Sequence, residues 1–265
     1  MEENSAARWD HAAADFQAVF RLGQNEYNEG LLRFWEREGL LRPGDRVLDL
    51  GCGVGKYGVL FARRGYEVSL TDISPEMLRL ARQNMAGAGT PWDAFVCDFH
   101  SATGEEPGFA GGFDFAISTM SPAICDADTV RKLSAMTRRC CFLSRFLHWE
   151  QPLRDALTRE LGLAPKEQDP ILRADCEDLL RAVEQAGYAP QTRVVDYDWC
   201  DRRSPSELAD LMLRRVLDAP EEGLRPALER AAAGHAGADG LVEDAVRTRV
   251  LWLWWFPCEG KEKTK

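Results

Sequence analysis

Short apolar runs bounded by glycine or proline alternate with amphipathic stretches over the first 150 residues. Residues 25–39 predict a helix, with Leu31, Leu32, Phe34 and Trp35 on its apolar face and Gly39 as its stop. Residues 46–50 read as a first strand, 56–64 as the helix after it and 66–71 as a second strand. Ser74-Pro75 opens a helix over 75–84, serine as N-cap and proline at the first helical position. Strands follow at 93–97 and 113–118, separated by a loop rich in glycine and acids. Asp126 or Asp128 caps a helix reaching 137, and 140–146 is a fifth strand. Such alternation predicts an α/β fold, a mostly parallel sheet with helices on both faces.

Beyond Trp149 the pattern loosens. Helices are expected at 152–163 and 175–186, a strand at 192–197, a Ser204-capped helix to 217 and an Ala- and acid-rich helical insertion over 220–240. The run at 247–256 is apolar on both faces, as suits a central strand covered from both sides. The domain expectation is one unit over 25–258 with helical insertions near 150–186 and 204–240. Residues 1–24 precede it as a helical segment, and 259–265 follow as a disordered tail.

Composition narrows the classes. A chain of 265 residues, 45% hydrophobic, can bury a sizeable core. Its net charge of −10, with its arginine pairs broken by nearby acids, disfavours a nucleic-acid substrate. The eight cysteines include no Cys-x-x-Cys and no zinc-spaced Cys/His set, so they read as reduced thiols, with no metal expected. The polar, acidic start is unlike a signal peptide, and the longest apolar run, 250–256, is too short to span a bilayer. The expectation is a cytoplasmic protein with no membrane partner.

The candidate chemistry starts at Val47-Leu48-Asp49-Leu50-Gly51-Cys52-Gly53-Val54-Gly55-Lys56. A phosphate-binding P-loop ending at Gly55-Lys56 would place Leu50 at its first glycine and Tyr57 at its hydroxyl. A dinucleotide fingerprint starting at Gly51 would need glycine where Lys56 stands. The spacing instead resembles motif I of the class I S-adenosylmethionine (SAM)-dependent methyltransferases, in which an acid precedes three alternating glycines. The alternative is a glycine turn without a ligand.

That resemblance implies a three-layer, Rossmann-like fold with a seven-stranded sheet, the last strand antiparallel and inserted between the fifth and sixth. It implies SAM as cofactor, with S-adenosylhomocysteine (SAH) as product. Asp49, with Gly51, Cys52, Gly53 and Gly55 beside it, would face the methionine end. Asp72, ending the second strand, would accept the ribose hydroxyls, and Ile73 would pack on the adenine; capping of the next helix is the competing role for Asp72. Asp98 and Phe99 would take the adenine amino group and ring face, against a plain solvated loop. Ser118, at the end of the fourth strand, would lie near the transferable methyl.

The acceptor side is less defined. Trp9 with Phe16 resembles the opening helix that covers the pocket in small-molecule enzymes of this class. A packing helix is the alternative. Tyr27, Met120, Ser121 and Trp149 are candidate pocket residues, and His148 is the candidate base. Ser118-Thr119-Met120-Ser121-Pro122 lacks the Asn/Asp-Pro-Pro-Tyr pattern of base or glutamine methylation. Asp126 and Asp128 read as helix caps, and Lys56 as a surface lysine. The expected partner is a small-molecule methyl acceptor. A macromolecule methyltransferase and a SAM-binding protein without turnover are the alternatives.

Overall fold

The computed structural model describes residues 5–21, 26–164, 176–217 and 223–258. They divide into two compact units. One holds the described residues of 1–145, 174–193 and 251–265, the other those of 146–173 and 194–250.

In chain order the elements are α1 (Ala6–Arg21), α2 (Glu26–Arg37), β1 (Arg46–Leu50), α3 (Lys56–Arg63), β2 (Glu67–Asp72), α4 (Pro75–Asn84), β3 (Trp92–Val96), β4 (Phe113–Thr119) and α5 (Ala127–Met136). Then come β5 (Thr137–Glu150), α6 (Pro152–Glu160), α7 (Cys176–Gln185), β6 (Gln191–Asp196), β7 (Trp199–Arg203), α8 (Pro205–Arg215), α9 (Leu224–Ala233) and β8 (Val242–Trp255).

The sheet runs β3-β2-β1-β4-β5-β8-β6, with β7 paired to β8. The seven strands of that path are the expected ones, and the last of them lies inside the sheet. β1 pairs in parallel with both β2 and β4, so the strand order reverses between β1 and β4. In open α/β sheets the crevice at such a reversal is where ligands bind.

Local chemistry places the helices. Ser74 Oγ accepts the Met77 amide at 3.0 Å to start α4. Asp126 and Thr129 form a reciprocal capping box on α5, and Ser204 and Glu207 do the same on α8. Asp126 is therefore a helix cap, as expected, and Asp128 pairs with Arg131 at 2.6 Å.

Each sheet face of the first unit is covered. On one, the buried Trp35 ring stacks on Phe61 at 5.7 Å and meets Phe115 and Phe142 edge-on at 5.3 and 5.0 Å. On the other, Val130 and Leu133 of α5 and Leu179 and Val183 of α7 join the core of Phe113, Cys141, Leu253 and Trp255. Trp255 Nε1 donates to Ser134 Oγ at 2.8 Å, satisfying the indole in that core.

In the second unit, α6, α8 and α9 close around Leu157, Leu208, Met212, Leu228 and Val242. Asp244 is fully buried there. Arg154 grips it through two bonds of 2.9 and 2.6 Å, and Arg203 adds a third at 3.0 Å.

Three expectations shift. β5 is longer than 140–146. β8 begins at Val242 rather than 247, and the polar strand β7 was not anticipated. The helical insertion at 220–240 is α9 over part of its length, residues 218–222 lying outside the described ones. The tail at 259–265 also lies outside them. Among the described residues no helix is long and apolar enough to cross a membrane.

Candidate functional site at the ends of β1, β2 and β4

The glycine turn follows β1, where the chain must reverse into α3 within a few residues. Gly51, Gly53 and Gly55 all hold positive φ, at 72°, 53° and 80°. Gly51 has a second constraint. A Cβ there would lie 2.6 Å from Cβ of Ser121 and closer still to its hydroxyl. Only a bare backbone lets the turns after β1 and β4 approach so closely.

The turn's amides are largely spent within the protein. Gly51 and Cys52 donate to the Thr71 carbonyl at 2.8 and 3.0 Å, Gly55 to the Cys52 carbonyl at 3.0 Å, and Gly53 to Asp72 Oδ2 at 2.9 Å. The turn therefore offers a ligand shape more than donors.

Asp72 works for both neighbours. Its other oxygen accepts the Ser74 amide at 2.9 Å. Burial raises its carboxyl above the ordinary value, while the Ser74, Gly53 and Ile73 amides pull it back down. The capping role is thus present. Each carboxylate oxygen still has a further lone pair for a hydroxyl donor.

Asp49 is buried beneath the turn, 1% exposed. The Gly58 amide, in the first turn of α3, bonds to the carboxylate, yet Oδ2 has no hydrogen-bond partner. Burial pushes this carboxyl up to about 8, and the Asp72 charge adds to the rise. The site holds a buried acid with an unpartnered oxygen, and no cation is beside it among the described residues.

Gly51, Gly53 and Asp72 meet in one cleft with Trp9, Phe16, Ile73, Asp98, Phe99, His100, Met120 and Ser121 among others, whereas the predicted site residues Asp49, Cys52 and Gly55 are not among its lining residues. Asp98 accepts the His100 amide at 3.1 Å and the Ser101 hydroxyl at 3.0 Å, so its carboxylate is partly tied to its own loop. Phe99 is 2% exposed and edge-on to Phe109, at once core and cleft wall. Ser118 is fully buried, its Oγ without a partner, and is not among the lining residues.

Helix α1 is fastened across α4. Asp10 Oδ1 accepts from Ser74 Oγ at 2.5 Å and from the Glu76 amide at 3.0 Å, placing a carboxylate at the positive end of α4. Three residues on, Ala13 is buried against Val54, Met77 and Leu80. One turn further, the Gln17 and Asn84 amides bond reciprocally at 2.9 and 2.8 Å. The adjoining stripe presents Trp9 and Phe16, edge-to-face at 6.3 Å, to the cleft. With these rings in its mouth, the cavity is about 70 Å³, well under the roughly 300–1,000 Å³ of a small-molecule pocket. The segment packs on α4, and its Trp9 and Phe16 line the cleft.

Other candidates fall elsewhere. Tyr27 OH accepts the Trp252 indole N–H at 2.9 Å and does not line the cleft. His148 is exposed on β5 in the second unit. Trp149 is in the same unit, against Phe146 at 4.7 Å and Trp199 at 5.3 Å. Lys56 is not a surface lysine: it is half-buried, and burial lowers its ammonium to about 8.

The sequence reading missed His100, which follows the Asp98-Phe99 pair directly. Its Nε2 lies 3.3 Å from the Pro122 carbonyl, a pure acceptor, so Nε2 carries the proton and Nδ1 faces Cys125 Sγ at 3.8 Å.

Comparisons with known proteins agree with this geometry. Residues 47–141 match a family model described as a methyltransferase domain. Among solved structures, the YcgJ protein of Bacillus subtilis superposes with a TM-score of 0.53 at 15% identity, covering 88% of this chain and 98% of that one. This chain has the class I, Rossmann-like fold of the SAM-dependent methyltransferases. A methyltransferase-like structure from Bacillus halodurans gives 0.50 at 16% identity, over 83% of this chain and 96% of that one. In sequence, the malonyl-[acyl-carrier protein] O-methyltransferase of Serratia marcescens is 36% identical over 81 residues, 31% of this chain and 30% of its own length. The ubiquinone biosynthesis O-methyltransferase of Xanthomonas campestris is 36% identical over 66 residues, 25% and 28% of the two chains. The matches thus span under a third of these curated relatives.

Proposed function

We propose that this protein is a SAM-dependent methyltransferase acting on a small-molecule acceptor. One observation carries the donor reading: the buried Asp49 carboxylate with an unpartnered oxygen beside the glycine turn. A group that brings a cation to that point removes the cost of charging the acid. The methionine end of SAM carries an ammonium, so the donor set fits the cofactor.

When bound, SAM supplies a methyl group already activated on a sulfonium. The protein's task is then positioning and exclusion of water. Asp49 would hold the ammonium, and Gly51 and Gly53 would leave room for the chain that follows. Asp72 would accept from the ribose through lone pairs its two amide donors leave open. Ile73 and Phe99 would flank the adenine, with Asp98 accepting from its amino group. Trp9 and Phe16 would close the mouth against water. Ser121 and Met120 would form the wall toward the acceptor.

Several observations support a small acceptor. The net charge of −10 opposes binding of a polyanion. One curated relative is named as a ubiquinone biosynthesis O-methyltransferase.

The test has two steps. Calorimetric titration should show binding of SAM and SAH; a folded protein that binds neither refutes the donor reading. Incubation with labelled SAM and a metabolite extract should then yield a labelled small product. Label confined to RNA or protein would reject the acceptor class.

A further inference from the structure

Among the described residues, Arg145 is a cation buried without a carboxylate partner. It is the only charged residue in Cys140-Cys141-Phe142-Leu143-Ser144-Arg145-Phe146-Leu147. Its side chain is 1% exposed, and burial lowers its guanidinium to about 10. No carboxylate is among the groups that act on it, and its Nε has no hydrogen-bond partner. A guanidinium in that setting survives only by giving its N–H groups to other acceptors.

The acceptors it uses are backbone carbonyls, mostly of one turn. Nη1 donates to Ser144 at 2.8 Å and to Ser118 at 3.4 Å. Nη2 donates to Ile124 at 3.2 Å and to Ser121. Ser118, Ser121 and Ile124 bracket the turn after β4. At the centre of that bracket is Met120, the one non-glycine with positive φ among the described residues, at 50°. Its amide donates to the Ser144 carbonyl at 3.0 Å. A non-glycine held at positive φ persists only where its surroundings over-determine it, and Arg145 is the group that reaches both sides of it.

The turn so held is a wall of the cleft. Met120, Ser121, Pro122 and Ala123 line it, and Ser121 is the residue that a Cβ on Gly51 would strike. We propose that Arg145 is a positioning residue that staples the turn 118–124 around Met120 and thereby sets the spacing between Ser121 and Gly51 on which donor binding depends. Its part in donor binding rests on reading the cleft as the SAM site; the staple itself does not.

Arg145→Lys tests it, because a lysine keeps the charge but loses the planar fork that serves several carbonyls at once. Amide hydrogen exchange over 120–125 should accelerate while α8 and α9 keep their protection, and SAH affinity should fall by roughly tenfold or more. Adding Met120→Gly should recover part of that affinity, since glycine holds φ near 50° unaided. Unchanged exchange at 120–125, or acceleration spread evenly over the chain with no recovery on adding Met120→Gly, would overturn the staple. If Arg145→Lys does not fold, Met120→Val in the otherwise unaltered chain makes the same test by raising the strain at that position. Faster exchange at 120–125 is expected, and wild-type exchange would overturn the proposal. If the unaltered chain binds no SAH, the donor reading fails, and the exchange measurement still decides the staple.

Discussion

Asp72 accepts the Gly53 amide at 2.9 Å, so the acid that ends β2 also fixes the middle of the turn that follows β1. The residue proposed for the ribose is therefore part of the scaffold that shapes its own pocket. Asp72→Ala should act on both. It strands the Gly53 and Ser74 amides, at roughly 1–3 kcal/mol for a buried donor, and should lower SAH affinity at least tenfold (about 1.4 kcal/mol). Chemical denaturation and calorimetry read the two effects separately. Full affinity in a destabilised Asp72→Ala protein would leave Asp72 with the scaffold role alone.

Asp49 predicts a pH dependence with a definite sign. Its carboxyl lies at about 8 in the folded chain against an ordinary 3.8. Between those values the folded chain keeps a proton that the unfolded chain has released. Stability from this group therefore falls as pH rises through the window and stops falling above about 8. Binding of a cation to Asp49 reverses the cost, so SAH should displace about one proton at pH 7. Calorimetry in buffers of different ionisation enthalpy measures that number. 5′-Methylthioadenosine, which lacks the amino-acid end, should displace none. Asp49→Asn should abolish both the slope and the release.

Gly51→Ala combines a φ of 72° with a collision against Ser121. The expected cost is about 2–4 kcal/mol, from left-handed strain and overpacking together. Ser121→Gly in the same chain should return the overpacking part but not the strain. A denaturation midpoint for Gly51→Ala equal to that of the unaltered chain would contradict the close approach of the two turns.

Asp10→Ala removes the carboxylate at the start of α4 and one of the fastenings of α1. A loss of about 1 kcal/mol is expected from the cap and helix-dipole contributions. SAH should associate faster, because the helix bearing Trp9 and Phe16 is less firmly held over a cavity of about 70 Å³. Stopped-flow fluorescence of Trp9 follows this; an unchanged association rate would mean that α1 does not limit entry.

In the second unit, Asp244→Ala would leave Arg154 buried without its partner and should cost about 3–5 kcal/mol. Replacing both residues by apolar ones of similar size, Arg154→Met with Asp244→Leu, should return most of that loss. Thermal unfolding of the single and double variants makes the comparison.

The first half of the chain was legible because local rules and tertiary structure agree there. Ser74-Pro75 starts α4 where a cap and a proline predict it, and β1 coincides with its apolar run. The missed pieces share a cause. β7 is polar, and the first half of β8 places Asp244 and Thr248 at buried positions of the alternation, so its period was hidden. Asp244 is tolerated inside only because Arg154 and Arg203, distant in sequence, come to it. Arg145 was missed because its partners are carbonyls, which carry no residue code. Asp10 was invisible for a similar reason: its role depends on α1 crossing the start of α4.

The place of β8 between β5 and β6 bears on how the chain acquires its shape. It is the last described strand to emerge during synthesis, yet its neighbours on both sides are made earlier. Until residues 242–255 arrive, β5 and β6 each present an unpaired edge, and exposed edges recruit foreign strands. Strands β1 to β4 precede that step and are already able to pair. A nascent chain stalled before Val242 would thus hold β1 to β4 beside an open seam, the point at which aggregation or chaperone capture should concentrate.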